Sequence, residues 1–96
     1  MVKHVEWNDE KNIRLKKERG VSFEDVVISI LEGRLLATIK HINPKYAHQK
    51  IFIVDINNYA YLVPFVEDEE KIFLKTIIPN RQATVKYLFK QKNKYG

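Results

Sequence analysis

The apolar positions along this 96-residue chain change period about a third of the way in. Residues 3 to 7 read as a short opening strand, after which Asn8 is placed to cap a helix whose first turn carries Asp9 and Glu10, the charges favoured near a helix amino end. Gly20 stops that helix near Arg19, because the left-handed residue that closes a helix resists a side chain. Ser22-Phe23-Glu24-Asp25 resembles a capping box opening a second helix, with Val26, Val27, Ile30 and Leu31 as its buried face and Gly33 at its end. From there branched and aromatic residues dominate, and residues 35 to 39, 50 to 56, 59 to 66 and 71 to 78 read as four strands.

Asn57-Asn58 is a two-residue joint, and Asn tolerates the positive φ that a tight hairpin turn needs. Such a loop pairs Ile56 with Tyr59, Val54 with Tyr61 and Phe52 with Val63 on one face of the sheet. The other face receives Ile51, Ile53, Asp55, Ala60, Leu62 and Pro64. Both faces are mostly apolar, so helices must cover one and a closing helix or a partner part of the other. The acidic run from Glu67 to Glu70 closes the next hairpin. Pro79 ends the last strand, Asn80 can cap, and residues 81 to about 90 have helical spacing, with Ala83, Tyr87 and Leu88 inward and Lys86 and Lys90 outward. The order predicts an α+β domain over 1–90, an antiparallel sheet of four to five strands with two N-terminal helices and one C-terminal helix, followed by a basic flexible tail over 91–96.

Size makes this one domain, since a chain so short buries about 60 to 65% of its unfolded surface and needs every apolar stretch for one core. There is no cysteine, so thiolate metal sites and disulfides are excluded, and His4, His41 and His48 lack ligand spacing. The start lacks the apolar core of a signal peptide, and the longest apolar run, 59 to 66, is too short to cross a bilayer. A cytoplasmic protein without metal, cofactor or membrane role is expected.

Charge changes the picture more. From Lys71 onward there are seven cations and no acid, against ten cations and twelve acids in residues 1–70, so the net +5 sits at one end. Segregated charge of this kind attracts a polyanion, and nucleic acid is the leading partner. The three isolated glycines exclude a phosphate-binding loop, and no nucleophilic triad is present. Basic residues interleaved with aromatics remain: Lys11, Arg14, Lys17 and Arg19 on the first helix, Tyr46 and His48 before the second long strand, and Lys75, Arg81, Lys86 and Tyr87 near the end.

Cleaving RNA without a metal requires a base for the 2′-hydroxyl proton, cations for the phosphate and an acid for the leaving oxygen. Arg81, just beyond a strand end, suits the phosphate, or else a salt bridge to Asp55 or the acidic turn. His48 is the candidate base, and Lys75 is the third catalytic candidate. Lys11, Arg14, Lys17, Arg19, Lys86 and Tyr87 are the candidate RNA-binding residues. Trp7 fits a core anchor better than a base-stacking surface.

Val5-Glu6-Trp7-Asn8-Asp9-Glu10-Lys11-Asn12, followed by Gly20-Val21-Ser22-Phe23-Glu24, resembles the opening signature of BrnT-type toxins, which read Glu-Trp-Asp, a Lys four residues after the Trp, then His-Gly-Val-Ser-Phe-Glu. Ile77-Ile78-Pro79-Asn80-Arg81-Gln82-Ala83-Thr84 resembles their Ile-Ser-Ala-Arg-x-Ala-Thr ending. Trp7, Lys11, Gly20, Phe23, Arg81, Ala83 and Thr84 fall on family positions. The chain departs at Leu15, where the family has Asn; at Glu18-Arg19, where it has Lys-His; and at Tyr87, where it has an acid. The resemblance implies a RelE-like fold and the toxin of a type II toxin-antitoxin system, a metal-independent endoribonuclease that inhibits translation, at the ribosome or on free RNA. It also implies a ribbon-helix-helix antitoxin as cognate partner and contact with operator DNA only through that antitoxin. The alternative is a non-catalytic RelE-like module that docks an antitoxin-like partner or nucleic acid, and the lost Lys-His pair favours it. A third reading is a small structural domain with a solvated basic tail.

Overall fold

The computed structural model describes residues 3–41, 43–46 and 48–89; the Tyr46 side chain, Lys90 and the tail expected over 91–96 lie outside the described residues. The elements are β1 (His4–Glu6), α1 (Asp9–Arg19), α2 (Phe23–Leu31), β2 (Leu35–Lys40), a 3₁₀ turn (Pro44–Tyr46), β3 (Lys50–Ile56), β4 (Tyr59–Glu67), β5 (Lys71–Leu74), β6 (Ile78–Pro79) and α3 (Arg81–Thr84), which widens into a π turn over Val85–Phe89. The α+β order is the one the sequence predicts. The sheet differs: it has six strands, in the order β1-β5-β4-β3-β2 with β6 also on β4, and it is mixed rather than antiparallel, because β1 lies parallel to β5. A strand of three residues pairing with a segment almost seventy residues away leaves no local signal in the sequence.

The β3–β4 hairpin has the predicted register, Ile56 opposite Tyr59, Val54 opposite Tyr61 and Phe52 opposite Val63. Asn57 and Asn58 carry φ of 55° and 66°, which gives the turn the twist of its strands. One face of the sheet buries Val54, Ile56, Val63, Phe65, Leu74 and Ile77 against Leu15, Val21, Phe23 and Val26 of the α1–α2 layer. The other packs Ile51, Ile53 and Ala60 under Ala83 and Tyr87, so the C-terminal helix covers part of it. Trp7 stacks on Phe23 with ring centroids 5.6 Å apart, the expected core anchor. Leu31 departs from expectation: it is 80% exposed and overhangs an apolar cleft of about 150 Å³ shared with Val5, Val27, Ile30, Phe52, Ile72 and Leu74.

Residues 71 to 78, read as one strand, are two strands separated by a bulge. β5 pairs Leu74 with Phe65, and the Lys75 N–H donates to the Pro64 carbonyl at 2.8 Å, continuing that register. β6 resumes with Ile78 opposite Leu62, so Thr76 and Ile77 together face the single residue Val63. The extra residue lets Leu74 and Ile77, an odd number apart, both enter the same core, where strict alternation would have put Thr76 inside.

The two N-terminal helices are joined by one buried amide. Asn12, 5% exposed, accepts from the Phe23 N–H at 2.7 Å and donates to Glu24 Oε1 at 2.7 Å. Phe23 opens α2, so its N–H has no partner within the helix, while Ser22 and Asp25 close the predicted capping box on either side. Gly20 is left-handed at φ 69° and its N–H returns to the Lys16 carbonyl, which ends α1 where expected. Asn12→Ala leaves a buried N–H without a partner and is expected to cost about 2 kcal/mol in a denaturant melt. The Asn12 amide, foremost, together with a backbone N–H and Lys16, holds the Glu24 carboxyl below its ordinary value of 4.5. A depressed carboxyl contributes stability that is full above the unfolded value and fades as pH falls through the lower folded value. Urea melts should therefore weaken below about pH 4.5, and Glu24→Gln should flatten that acid limb; an unchanged limb would remove Glu24 from the account.

Candidate nucleic-acid interface

The segment Asn80-Arg81-Gln82-Ala83-Thr84 turns an edge strand into a helix, and every residue but Arg81 and Gln82 is committed to holding that turn. The Asn80 side chain caps α3 by accepting from the Ala83 N–H at 2.7 Å, and its own N–H donates to the Ala60 carbonyl at 3.0 Å. Ala83 lies in the second apolar cluster beneath the helix. Thr84, 1% exposed, accepts from the Ala60 N–H at 2.9 Å and donates to the Asn80 carbonyl at 2.8 Å. In a regular ladder the Ala60 N–H would bond the Asn80 carbonyl directly. A threonine hydroxyl completes that rung instead, satisfying both groups while the strands part and the helix begins.

Arg81 leaves this mount exposed, and among the described residues it forms no ion pair. The salt bridge to Asp55 or the acidic turn considered from sequence is not formed: the Asp55 carboxylate accepts from the Asn58 N–H, and Asp68 from the Glu70 and Lys71 N–H groups. Arg81 borders an open hollow with Gln82, Val85 and Lys86. Lys86 is exposed, with its ammonium 5.3 Å from the Tyr87 ring centre, and Lys75 lies 5.6 Å from that of Phe73. These are cation–π distances, which hold a cation beside an aromatic surface without neutralising it.

Other sequence candidates fall elsewhere. His48 is exposed in the turn before β3, and Lys50 at the start of that strand pairs with Phe65, whereas Asn80 pairs with Ala60. Five extended residues, roughly 17 Å, separate those rungs. His48 and Arg81 are thus at opposite ends of the hairpin, and the structure does not bring the candidate base to the candidate phosphate ligand. Lys75, whose N–H bonds Pro64, stands between the two rungs. Tyr87 is half-buried in the second apolar cluster, so it supports the sheet before it supports a ligand. Arg14 and Lys17 are exposed and Lys11 is half-buried on α1, across the sheet from α3. The single basic surface expected from sequence is therefore two, one on each side of the sheet.

Arg19 links the two sides. Its guanidinium donates to the Ile77 carbonyl within the bulge, fixing the end of α1 to the segment that leads into Arg81. Tyr59 and Tyr61 form an edge-on pair with centroids 5.8 Å apart on β4, and Tyr61 packs against the apolar cluster of the α1–α2 face, across the sheet from α3.

Among the described residues no three His, Asp or Glu side chains are close enough to hold a metal ion, and no helix is long and apolar enough to cross a membrane. No protein-family model, curated protein or solved structure matches the chain.

Thr84→Val removes the hydroxyl rung while keeping the shape, leaving the Ala60 N–H buried and unpaired, and is expected to lower stability by about 2 kcal/mol. Arg81→Ala should leave the melting temperature within a degree or two, since exposed substitutions away from structural contacts stay within about 0.5 kcal/mol. If the two variants melt alike, Thr84 does not carry the mount.

Proposed function

We propose that this protein is an RNA-directed toxin of a type II toxin-antitoxin system, a metal-independent endoribonuclease whose edge site grips a phosphate with Arg81. The observation that carries the reading is Arg81 itself: an exposed guanidinium, unpaired among the described residues, on a turn that Asn80, Ala83 and Thr84 hold in place. A rigid mount matters because stabilising an in-line phosphorane requires the cation to be in place before charge develops. The resemblance to BrnT-type toxins, with its Arg-x-Ala-Thr ending, gives the residue the same part, and the element order of two helices, a sheet and a closing helix supports a RelE-like arrangement. Lys75 and Lys86 add positive potential on the α3 side.

In this scheme the 2′-hydroxyl gives its proton to solvent water as its oxygen bonds the adjacent phosphorus, the P–O5′ bond breaks and the 5′-oxygen leaves with a proton from water, giving a 2′,3′-cyclic phosphate, while Arg81 neutralises the equatorial oxygens. His48, at the far end of the hairpin, is not assigned the proton transfer. The expected partners are RNA, at the ribosome or free, and a ribbon-helix-helix antitoxin through which operator DNA is reached; the expected compartment is the cytoplasm. A binding-only module is the second reading, favoured by the lack of an imidazole near Arg81 among the described residues.

Induced expression is expected to arrest growth and halt translation, and Arg81→Ala to relieve the arrest at equal protein level. Purified protein should cut RNA in the presence of EDTA with a rate reduced on the order of a hundredfold in Arg81→Ala, the scale of losing one oxyanion-stabilising group. RNA that is bound and left intact would establish the binding-only module; growth and RNA both untouched would end the toxin reading.

A further inference from the structure

The closing helix leaves part of the second sheet face open, and the opening is lined by chemistry of two kinds. Ile39, Ile53 and Leu62, from three neighbouring strands, pave the floor of a hollow of about 290 Å³ beside α3. Ile39 and Leu62 are half-buried, so the floor still shows apolar surface. Ala83 and Tyr87 wall the hollow on the helix side, and Gln82 and Lys86 form its rim. The same Gln82 and Lys86 border the hollow shared by Arg81 and Val85. Residues four apart stack on one helix face, so Gln82 and Lys86 make a single ridge, with the Arg81 hollow on one flank and the apolar floor on the other. Gln82 is exposed, and its amide bonds no other group among the described residues. The Asn80 amide, by contrast, is already spent on the cap. Among the described residues no acid lines either hollow. Lys86 keeps its ammonium 5.3 Å from the ring of Tyr87, the wall residue.

We propose that this second hollow is a nucleobase subsite: an unpaired base lies on the floor of Ile39, Ile53 and Leu62, the Gln82 amide bonds its edge, and a neighbouring phosphate rests across the ridge at Arg81 and Lys86. The subsite rests on the RNA reading above and deepens it, because the ligand class becomes single-stranded RNA. A base enters a hollow between a helix and a sheet only when it is swung out of its own stack. Size agrees: pockets for drug-sized ligands begin at about 300 Å³, so this one takes a single ring system. Charge agrees too, since cations on the ridge and its far flank, with no acid beside them, suit the phosphates that flank a base and leave the neutral ring to the apolar floor. The amide of Gln82 carries a donor and an acceptor side by side, the complement of the exocyclic amine and adjacent ring nitrogen of adenine. The competing account is a gap that a short closing helix leaves over the sheet, filled by water, with Gln82 and Lys86 merely solvated.

The test compares three 2′-O-methyl hexamers that cannot be cut: hexa-adenosine, its purine-riboside analogue without the exocyclic amine, and an abasic strand. Wild type should bind hexa-adenosine about fivefold more tightly than the analogue, the low end for a paired amide. It should bind the analogue about tenfold more tightly than the abasic strand, within the range of one bound base. Gln82→Ala should erase the first step and keep the second. Ile39→Trp, which fills the floor, should bring all three strands to one affinity, and Arg81→Ala should weaken all three alike. Should Ile39→Trp fail to fold, wild-type NMR decides: the methyl signals of Ile39, Ile53 and Leu62 should move with hexa-adenosine and not with the abasic strand. Equal binding of all three strands by wild type, an amine preference that survives Gln82→Ala, a base preference that survives in a folded Ile39→Trp, or unmoved floor methyls would overturn the subsite and leave the RNA reading standing. Failure of wild type to bind any strand would overturn the RNA reading itself.

Discussion

The hydroxyl of Thr84 is the interaction on which the edge of this molecule depends. It sits between the N–H of Ala60 and the carbonyl of Asn80, replacing one direct ladder bond with two. An edge strand that must become a helix faces a conflict, because backbone groups at the turning point lose their ladder partners before the helix supplies new ones. Thr84 resolves it from one turn further along. The Asn80 carbonyl also accepts the Thr84 N–H at 3.1 Å, so one carbonyl closes the sheet and opens the helix together. Serine could donate and accept in the same way, but would lack the methyl group that packs in a site 1% exposed. Valine would keep the shape and lose the bonds.

Upstream, the bulge at Thr76 and Ile77 decides what Thr84 has to hold. Without the extra residue β6 would meet β4 one position out of register, and the turn would come at a different rung. The bulge also frees the Ile77 carbonyl from the ladder, and the Arg19 guanidinium takes it. The end of α1 is thereby fixed to the strand that presents Arg81, although the two helices lie on opposite faces of the sheet. Asn12 plays the corresponding part at the other end of α1, joining it to the first turn of α2. A helix with only Asn12 and Leu15 buried is thus held near its start by an amide and at its end by a guanidinium, more than by an apolar stripe.

Much of this was legible locally. The caps at Asn8, Ser22 and Asn80 accept the N–H groups that their side chains predict, and Asn57-Asn58 sets a hairpin whose every pair follows from a two-residue loop. Those features are decided by neighbours within four residues. The parallel pairing of β1 with β5 is decided by residues nearly seventy apart, and the bulge by a competition between Thr76 and Ile77 for a core that sequence alone does not locate. Leu31 reads as inward by helical spacing, yet α2 ends there and the side chain overhangs the cleft above Phe52, Ile72 and Leu74 instead of filling it. The candidate site divides the same way: the exposure of Arg81 follows from its place after a cap, whereas the distance of His48 from it follows from which strand end each loop occupies.

Charge counts alone would have joined Lys11, Arg14 and Lys17 with Lys75, Arg81 and Lys86 into one groove. The sheet lies between them, with its apolar clusters on both faces, and a single strand of nucleic acid cannot lie on both sides of a layer without passing around its edge. β6 forms one such edge, where Arg19 meets Ile77 and Arg81 follows Asn80. That geometry gives the acid-free C-terminal segment a meaning beyond its sum of charge. The bulge, the hydroxyl rung and the short helix hold one of its cations, Arg81, exposed and unpaired among the described residues at the β6 edge, just beyond the segment whose Ile77 carbonyl Arg19 holds.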